Sequence, residues 1–463
     1  MNATDCSFSA SRAARFFVAI AAACTALGAG AETYTLGAID YENNIGSADS
    51  PWNWSTASNW NPEGVPGSGD SIQWAPPKTG SHRHAYISLN GDYTVGSLEQ
   101  NYRTLHLYKD PNTVAETVSL TFATQLGGTG YQNSHELNAG VKLVVLASAT
   151  YNCSPSDHAY SGMDIKSGAE ADIYGSILSR VMKLDVNGGT LVFAPASYAV
   201  HGWGRSQTDH DEINIASGSA SFPNGITMTG TFTEPNQVNQ TGGTATFGGD
   251  FTSQMAWTYT WSGGTLAITD DSTFGANVAL VIPASASVSL DIASGKSFAA
   301  PGLSADSTAS ITVIGGGTFS IAPTTASIIL QNGSLGIATS GTYDLSNVSV
   351  GSGAATIALT AFGATINSLP AALASATFIA DLSNVAAGTV ILNSSDPTVL
   401  AKVKSDLDAS APAGMTLAVS GTTLSLEAQS AYAFTTTGSS ACGGAASLPS
   451  ACARYCRSSS GSS

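Results

Sequence analysis

The sequence predicts an all-β protein built as a β-solenoid, and three observations carry that prediction. Six stretches repeat one phrase: Asn187-Gly-Gly-Thr-Leu-Val-Phe193, Thr241-Gly-Gly-Thr-Ala-Thr-Phe247, Ser262-Gly-Gly-Thr-Leu-Ala-Ile268, Gly315-Gly-Gly-Thr-Phe-Ser-Ile321, Gln331-Asn-Gly-Ser-Leu-Gly-Ile337 and Ser420-Gly-Thr-Thr-Leu-Ser-Leu426. Each is a glycine turn followed by a strand whose apolar and small polar side chains alternate. Such a unit cannot bury its own apolar face, so copies must stack and share a core. Second, the last glycines before successive strands mostly fall roughly twenty-odd residues apart, the length needed by a coil of two or three short strands. Third, charged residues are 10% of the chain and glycine is 49 of 463, while hydrophobic content is 43%, enough for a large core. An antiparallel β-sandwich is the rival architecture, since it too gives short strands at regular turns.

Residues 1–31 read as an export leader. Arg12 and Arg15 form a basic start, Phe16 to Leu27 an apolar run too short to span a bilayer, and Ala29-Gly30-Ala31 a small-residue cleavage site before Glu32. No later run is long and apolar enough for a membrane helix. Loss of the leader removes Asp5 against Arg12 and Arg15, so the net charge of −16 becomes one unit more negative. A chain this acidic repels nucleic acid and anionic membranes. The cysteines left after cleavage, Cys153, Cys442, Cys452 and Cys456, lack the dense even spacing of a disulfide scaffold. At most one bridge is expected.

Residues 32–84 form a tryptophan-rich capping region containing Trp52, Trp54, Trp60 and Trp74, where Pro and Gly forbid a helix and a short strand closes over Ser71 to Trp74. Residues 85–375 form the solenoid. It opens with period-two strands at Ala85 to Leu89, Tyr93 to Leu98, Thr104 to Tyr108, Val114 to Phe122 and Val141 to Leu146, after which the glycine turns take over. Residues 376–428 form a small α+β cap. Strands are expected at Ala376 to Leu382 and Gly388 to Leu392. A helix then starts at Pro397, capped by Ser395 or Asp396, with Val399, Leu400, Val403 and Leu407 on one stripe. Strands over Met415 to Val419 and Thr423 to Glu427 complete a plug for the open solenoid end. The tail 429–463 has neither period and reads as disordered.

The phrase Trp54-x5-Trp60-x-Pro-x-Gly-Val-Pro-x-x-Gly-Asp, the Gly-Gly-Thr repeats, and the closing Thr377-Phe-Ile-Ala-Asp with Pro412-Ala-Gly-Met-Thr-Leu-Ala-Val resemble secreted bacterial proteins carrying autotransporter-associated strand repeats. The resemblance spans Trp52 to Glu427 and implies a right-handed parallel β-helix displayed outside the cell. This sequence departs from the pattern in showing neither the strands of a C-terminal barrel nor a hydrophobic sorting tail.

Four groups of residues are candidates for chemistry. Pectin-hydrolysing β-helix enzymes resemble one another in an Asp pair, a Gly-His-Gly and an Arg-x-Lys. Here Asp270-Asp271 supplies the pair and the other two are missing. Adjacent strand residues face opposite ways, so turn capping is the expectation for both. His82 and His84, or His201 with Asp209-His210-Asp211-Glu212, could begin a metal site, but a third ligand is not placed in either and both read as solvated loops. Cys452 and Cys456 have no histidine nearby. Trp52, Trp54, Trp60 and Trp74 could form a platform on which sugar rings stack, or could seal the first coil. No catalytic, cofactor-binding or metal-ligating residue is assigned, and no cofactor. The expected function is a secreted or cell-surface structural solenoid, adhesin-like, with a polysaccharide-binding or polysaccharide-cleaving β-helix protein as the alternative. Expected partners are extracellular glycans or a surface matrix.

Overall fold

The computed structural model describes residues 31–36, 45–74, 84–100, 103–128, 133–153, 161–200, 210–230, 235–321, 324–351 and 355–429. Residues 1–30 of the leader, the tail from 430, His82 and the 201–209 part of the second histidine cluster lie outside them. The chain winds as a β-solenoid of about 12 turns. Each full coil has three short strands on three faces. One coil runs Asn133–Leu137, Val141–Val145 and Thr150–Cys153, and the next runs Ser161–Lys166, Glu170–Ile173 and Ser176–Ser179. Every strand pairs in parallel with its counterpart one coil on. Parallel pairing removes the antiparallel sandwich.

Alternation dictates which side chains enter the core. Leu120, Leu143, Ala171, Leu191, Ala220, Ala245, Leu266, Leu290, Val313 and Leu330 are successive register partners on the second face, all buried. Beside them runs an aromatic spine. Phe222 and Phe247 stack at 4.6 Å, Phe247 and Phe274 lie 5.2 Å apart, Phe274 and Phe298 5.0 Å, and Phe298 and Phe319 5.8 Å. The apolar members of the glycine phrases, Leu191 and Phe193, Leu266 and Ile268, Phe319 and Ile321, are all inside this core.

The six phrases divide among three structural places. The first three turn from the first face to the second, whereas those at Gly315 and Gln331 turn from the second to the third. The sixth lies in the antiparallel turn between Met415–Ser420 and Thr423–Ala428, outside the stack. What they share is a turn followed by a half-buried strand, which is why sequence alone merges them. At the first corner the glycines stack on one another. Gly243 has φ +63°, and a Cβ there would lie 2.6 Å from the Gly218 carbonyl oxygen. Only glycine accepts both the left-handed backbone and that approach.

Both ends depart from the parallel stack. At the start, Thr33–Leu36 pairs parallel with Ser71–Trp74 and antiparallel with Trp60–Asn61, and Ser71–Trp74 continues into the parallel register of the coil above it. At the far end Thr389–Asn393 pairs antiparallel with Thr423–Ala428. The helix α1, Pro397–Leu407, starts at Asp396, whose carboxylate accepts from Thr398 N at 2.8 Å, and buries Val399, Leu400, Val403 and Leu407. Asp406 Oδ2 then accepts from Phe378 N at 2.9 Å, so the helix satisfies a backbone donor of the terminal strand Thr377–Ile379. One expected strand starts later and runs further. Val114 is exposed and the strand runs Val118–Gly128, because Asp110 accepts from Asn112 N and Thr113 N and holds the preceding residues in a turn.

Candidate functional site

Trp54, Trp60 and Trp74 are 3%, 3% and 2% exposed, and Trp52 is half-buried. Trp54 and Trp60 meet edge to face at 4.9 Å, and Trp60 Nε1 donates to the Trp54 carbonyl at 2.9 Å. Three of the four rings therefore serve as packing in the first coil, and a sugar face would meet only Trp52.

Asp270 and Asp271 sit in an exposed turn. Asp271 accepts from Ser297 N and Oγ, both 2.8 Å, one coil on, while Asp270 pairs with Lys296 Nζ at 2.6 Å. The hydrogen bond from Lys296 first, and that from Asp271 N second, hold the Asp270 carboxyl below its ordinary range. Asp92 with Ser119 and Asp250 with Thr273 repeat the Asp271 arrangement at other coils.

The second histidine cluster differs from a solvated loop. Asp211 is fully buried and accepts from Ser179 Oγ at 2.8 Å, Met182 N at 2.8 Å and Tyr198 Oη at 2.9 Å. Those donors let a carboxylate exist in the interior, which spacing along the chain could not reveal. His210 Nε2 lies 2.9 Å from Glu212 Oε1. Among the described residues no group of three or more His, Cys, Asp or Glu is arranged to hold a metal ion. Cys153 is a buried thiol whose pKa burial pushes up.

The densest outward chemistry lies instead on the first face. Tyr86, His106, Glu136, Asp164, Asp185, Asn214 and Asn239 are successive register partners, one per coil. Tyr86 and His106 stack at 4.4 Å with planes 7° apart. His106 Nε2 lies 2.8 Å from His84 Nδ1, and its Nδ1 lies 3.3 Å from Glu136 Oε1. Further along, Asn187 Nδ2 donates to Asp164 at 2.7 Å, Asn214 Nδ2 to Asp185 at 2.7 Å, and Asn239 Nδ2 to Asn214 Oδ1 at 2.9 Å. Lys166 pairs with Asp164 at 2.5 Å, and Lys183 lies between Asp185 and Glu212 at 3.8 and 3.7 Å. Burial raises the Asp185 pKa against the opposing bond from Asn214 and charge of Lys183.

Next to this column runs a second of smaller residues, Thr104, Ser134 and Gly162, ending at Lys183. The step between the two columns is a recess of about 270 Å³. Between the outward Ser134 and Glu136 that line it, His135 turns its ring into the core, 1% exposed, with Nδ1 3.2 Å from the Gly162 carbonyl. That bond assigns the proton to Nδ1 and leaves Nε2 without a partner among the described residues. Burial lowers the His135 pKa to about 4, so the ring is neutral.

Sequence alone does not reveal the strip, because its members stand one coil apart and coil length varies. The local signal was there: Lys183-x-Asp185, Glu212-x-Asn214 and Gln237-x-Asn239 alternate long polar residues where later coils carry Thr258-x-Thr260. Comparison with family models, with curated proteins and with solved structures finds no match for this chain.

Proposed function

We propose that this protein is an exported or cell-surface structural solenoid, adhesin-like in that it acts by presenting its long faces rather than by turning over a substrate. The observation that supports this most is where the outward polar groups spend their hydrogen bonds. Asp92, Asp250, Asp271, Asn214 and Asn239 each bond a residue one coil away, so the surface chemistry reinforces a rod. The basic, apolar and small-residue order of residues 1–31 supports export, as does the resemblance to autotransporter-associated repeats.

Two measurements test the reading. Mass spectrometry of the native protein recovered from outside the cell should find Glu32, or a residue within a few of it, at the N-terminus, and an intact Met1 form there would count against it. Incubation with neutral and acidic polysaccharides should release neither reducing ends nor unsaturated sugars. Turnover that disappears when one carboxylate is replaced would overturn the non-enzymatic reading.

A further inference from the structure

We infer that the recess beside Ser134 and Asp185 is a docking subsite for one ring of a neutral, hydroxyl-rich glycan chain lying along the solenoid axis. The inference rests on the reading of a displayed solenoid and names what its first face would meet.

Size is the first argument. At about 270 Å³ the recess exceeds the space of a single water, about 30 Å³, and falls just below the usual range for a whole small ligand, about 300–1,000 Å³. It fits one ring of something longer. Charge is the second. Glu136, Asp164 and Asp185 line it against the single ammonium of Lys183, so uronate and phosphate groups are repelled. Hydroxyl groups are not, since they donate to carboxylates and accept from the ammonium and from Ser134.

Periodicity is the third argument. Parallel strands repeat at about 4.8 Å, close to the advance of one sugar residue along an extended glycan. Glu136, Asp164 and Asp185 are register partners on consecutive coils, and the column continues into Asn214 and Asn239, so one acceptor recurs at each step. At the other end of the same face the half-buried ring of Tyr108, 6.4 Å from Tyr86, which is itself stacked on His106, supplies a stacking surface that Trp54, Trp60 and Trp74 do not.

Isothermal titration of the folded chain tests this with three probes: a linear neutral β-1,4-linked hexasaccharide, hexagalacturonate, and a chitosan hexamer. The neutral chain should bind with a Kd below the millimolar range and hexagalacturonate should not bind. Asp185→Asn should weaken neutral binding about tenfold through the lost charge-assisted bonds. Ser134→Trp, which fills the recess without changing charge, should abolish it. Asp270→Ala with Asp271→Ala, on a different turn, should leave it unchanged. Thermal melts confirm folding of each variant, and if Ser134→Trp does not fold, Asp185→Asn decides. No neutral binding at millimolar glycan, stronger binding of either charged probe, or binding indifferent to Asp185→Asn would overturn the inference. None of these outcomes bears on export, so a non-binding solenoid found outside the cell leaves the preceding proposal standing.

Discussion

His135 is the residue at which this solenoid departs furthest from an apolar core. Its register partners Leu105 and Met163 are buried apolar side chains, its ring lies 6.2 Å from that of Tyr151, and Gly162 accepts its one described hydrogen bond. The folded state keeps the imidazole neutral down to about 4, whereas the unfolded chain takes up its proton near 6.5. The stability this group contributes is therefore intact above pH 6.5, falls as pH drops through the window toward 4, and changes no further below that. A shift of this size corresponds to about 3 kcal/mol across the window. Urea denaturation at intervals from neutral pH down to about 4.5 should show that decline in the native protein, and His135→Gln should flatten it. Parallel slopes in the two proteins would show that other groups govern the acid response.

Elements were legible where the signal was local. Ser71–Trp74 and Ala85–Leu89 run as read, and α1 carries the cap and the four buried residues expected of it. Alternation and capping act within a few residues, so neither needs the rest of the chain. The division of the glycine phrases between two corners and a hairpin, the turn that delays the start of the strand after Val114, and the polar strip depend instead on which residues come to lie one coil apart. That alignment is set by loop lengths, about which propensity is silent. The first corner supplies a test. Gly243→Ala must hold a left-handed backbone and also meet the Gly218 carbonyl, so a loss of about 2–3 kcal/mol is expected. Gly295→Ala has φ +76° with open space around its Cβ, and should cost only about 1 kcal/mol. Equal melting-temperature shifts would mean that contact between stacked corners is unimportant. At the terminal strand, Asp406→Ala strips the acceptor from Phe378 N and should cost about 1–3 kcal/mol. It should also raise concentration-dependent association, measured by light scattering, as the end of the stack becomes available to another strand.

For the whole molecule, the consequence of one-dimensional stacking is that each coil is stabilised chiefly by the coil before it and the coil after it. The aromatic spine concentrates this coupling near the middle, where Phe247 contacts Phe222 in the coil before, Tyr259 and Phe274 in the coil after, and Phe251 in its own coil. Phe247→Ala removes these contacts together and should cost about 3–5 kcal/mol. In a globular core that loss would be shared by every element. In a solenoid it should be confined, with amide protection falling along 219–222, 244–247 and 265–268 while strands such as Ser334–Ile337 and Thr356–Leu359, several coils away, keep theirs. Hydrogen exchange read by mass spectrometry resolves the two patterns. A uniform loss of protection from Thr33 to Ala428 would mean that the chain behaves as a single cooperative block, with coupling that reaches well beyond adjacent coils.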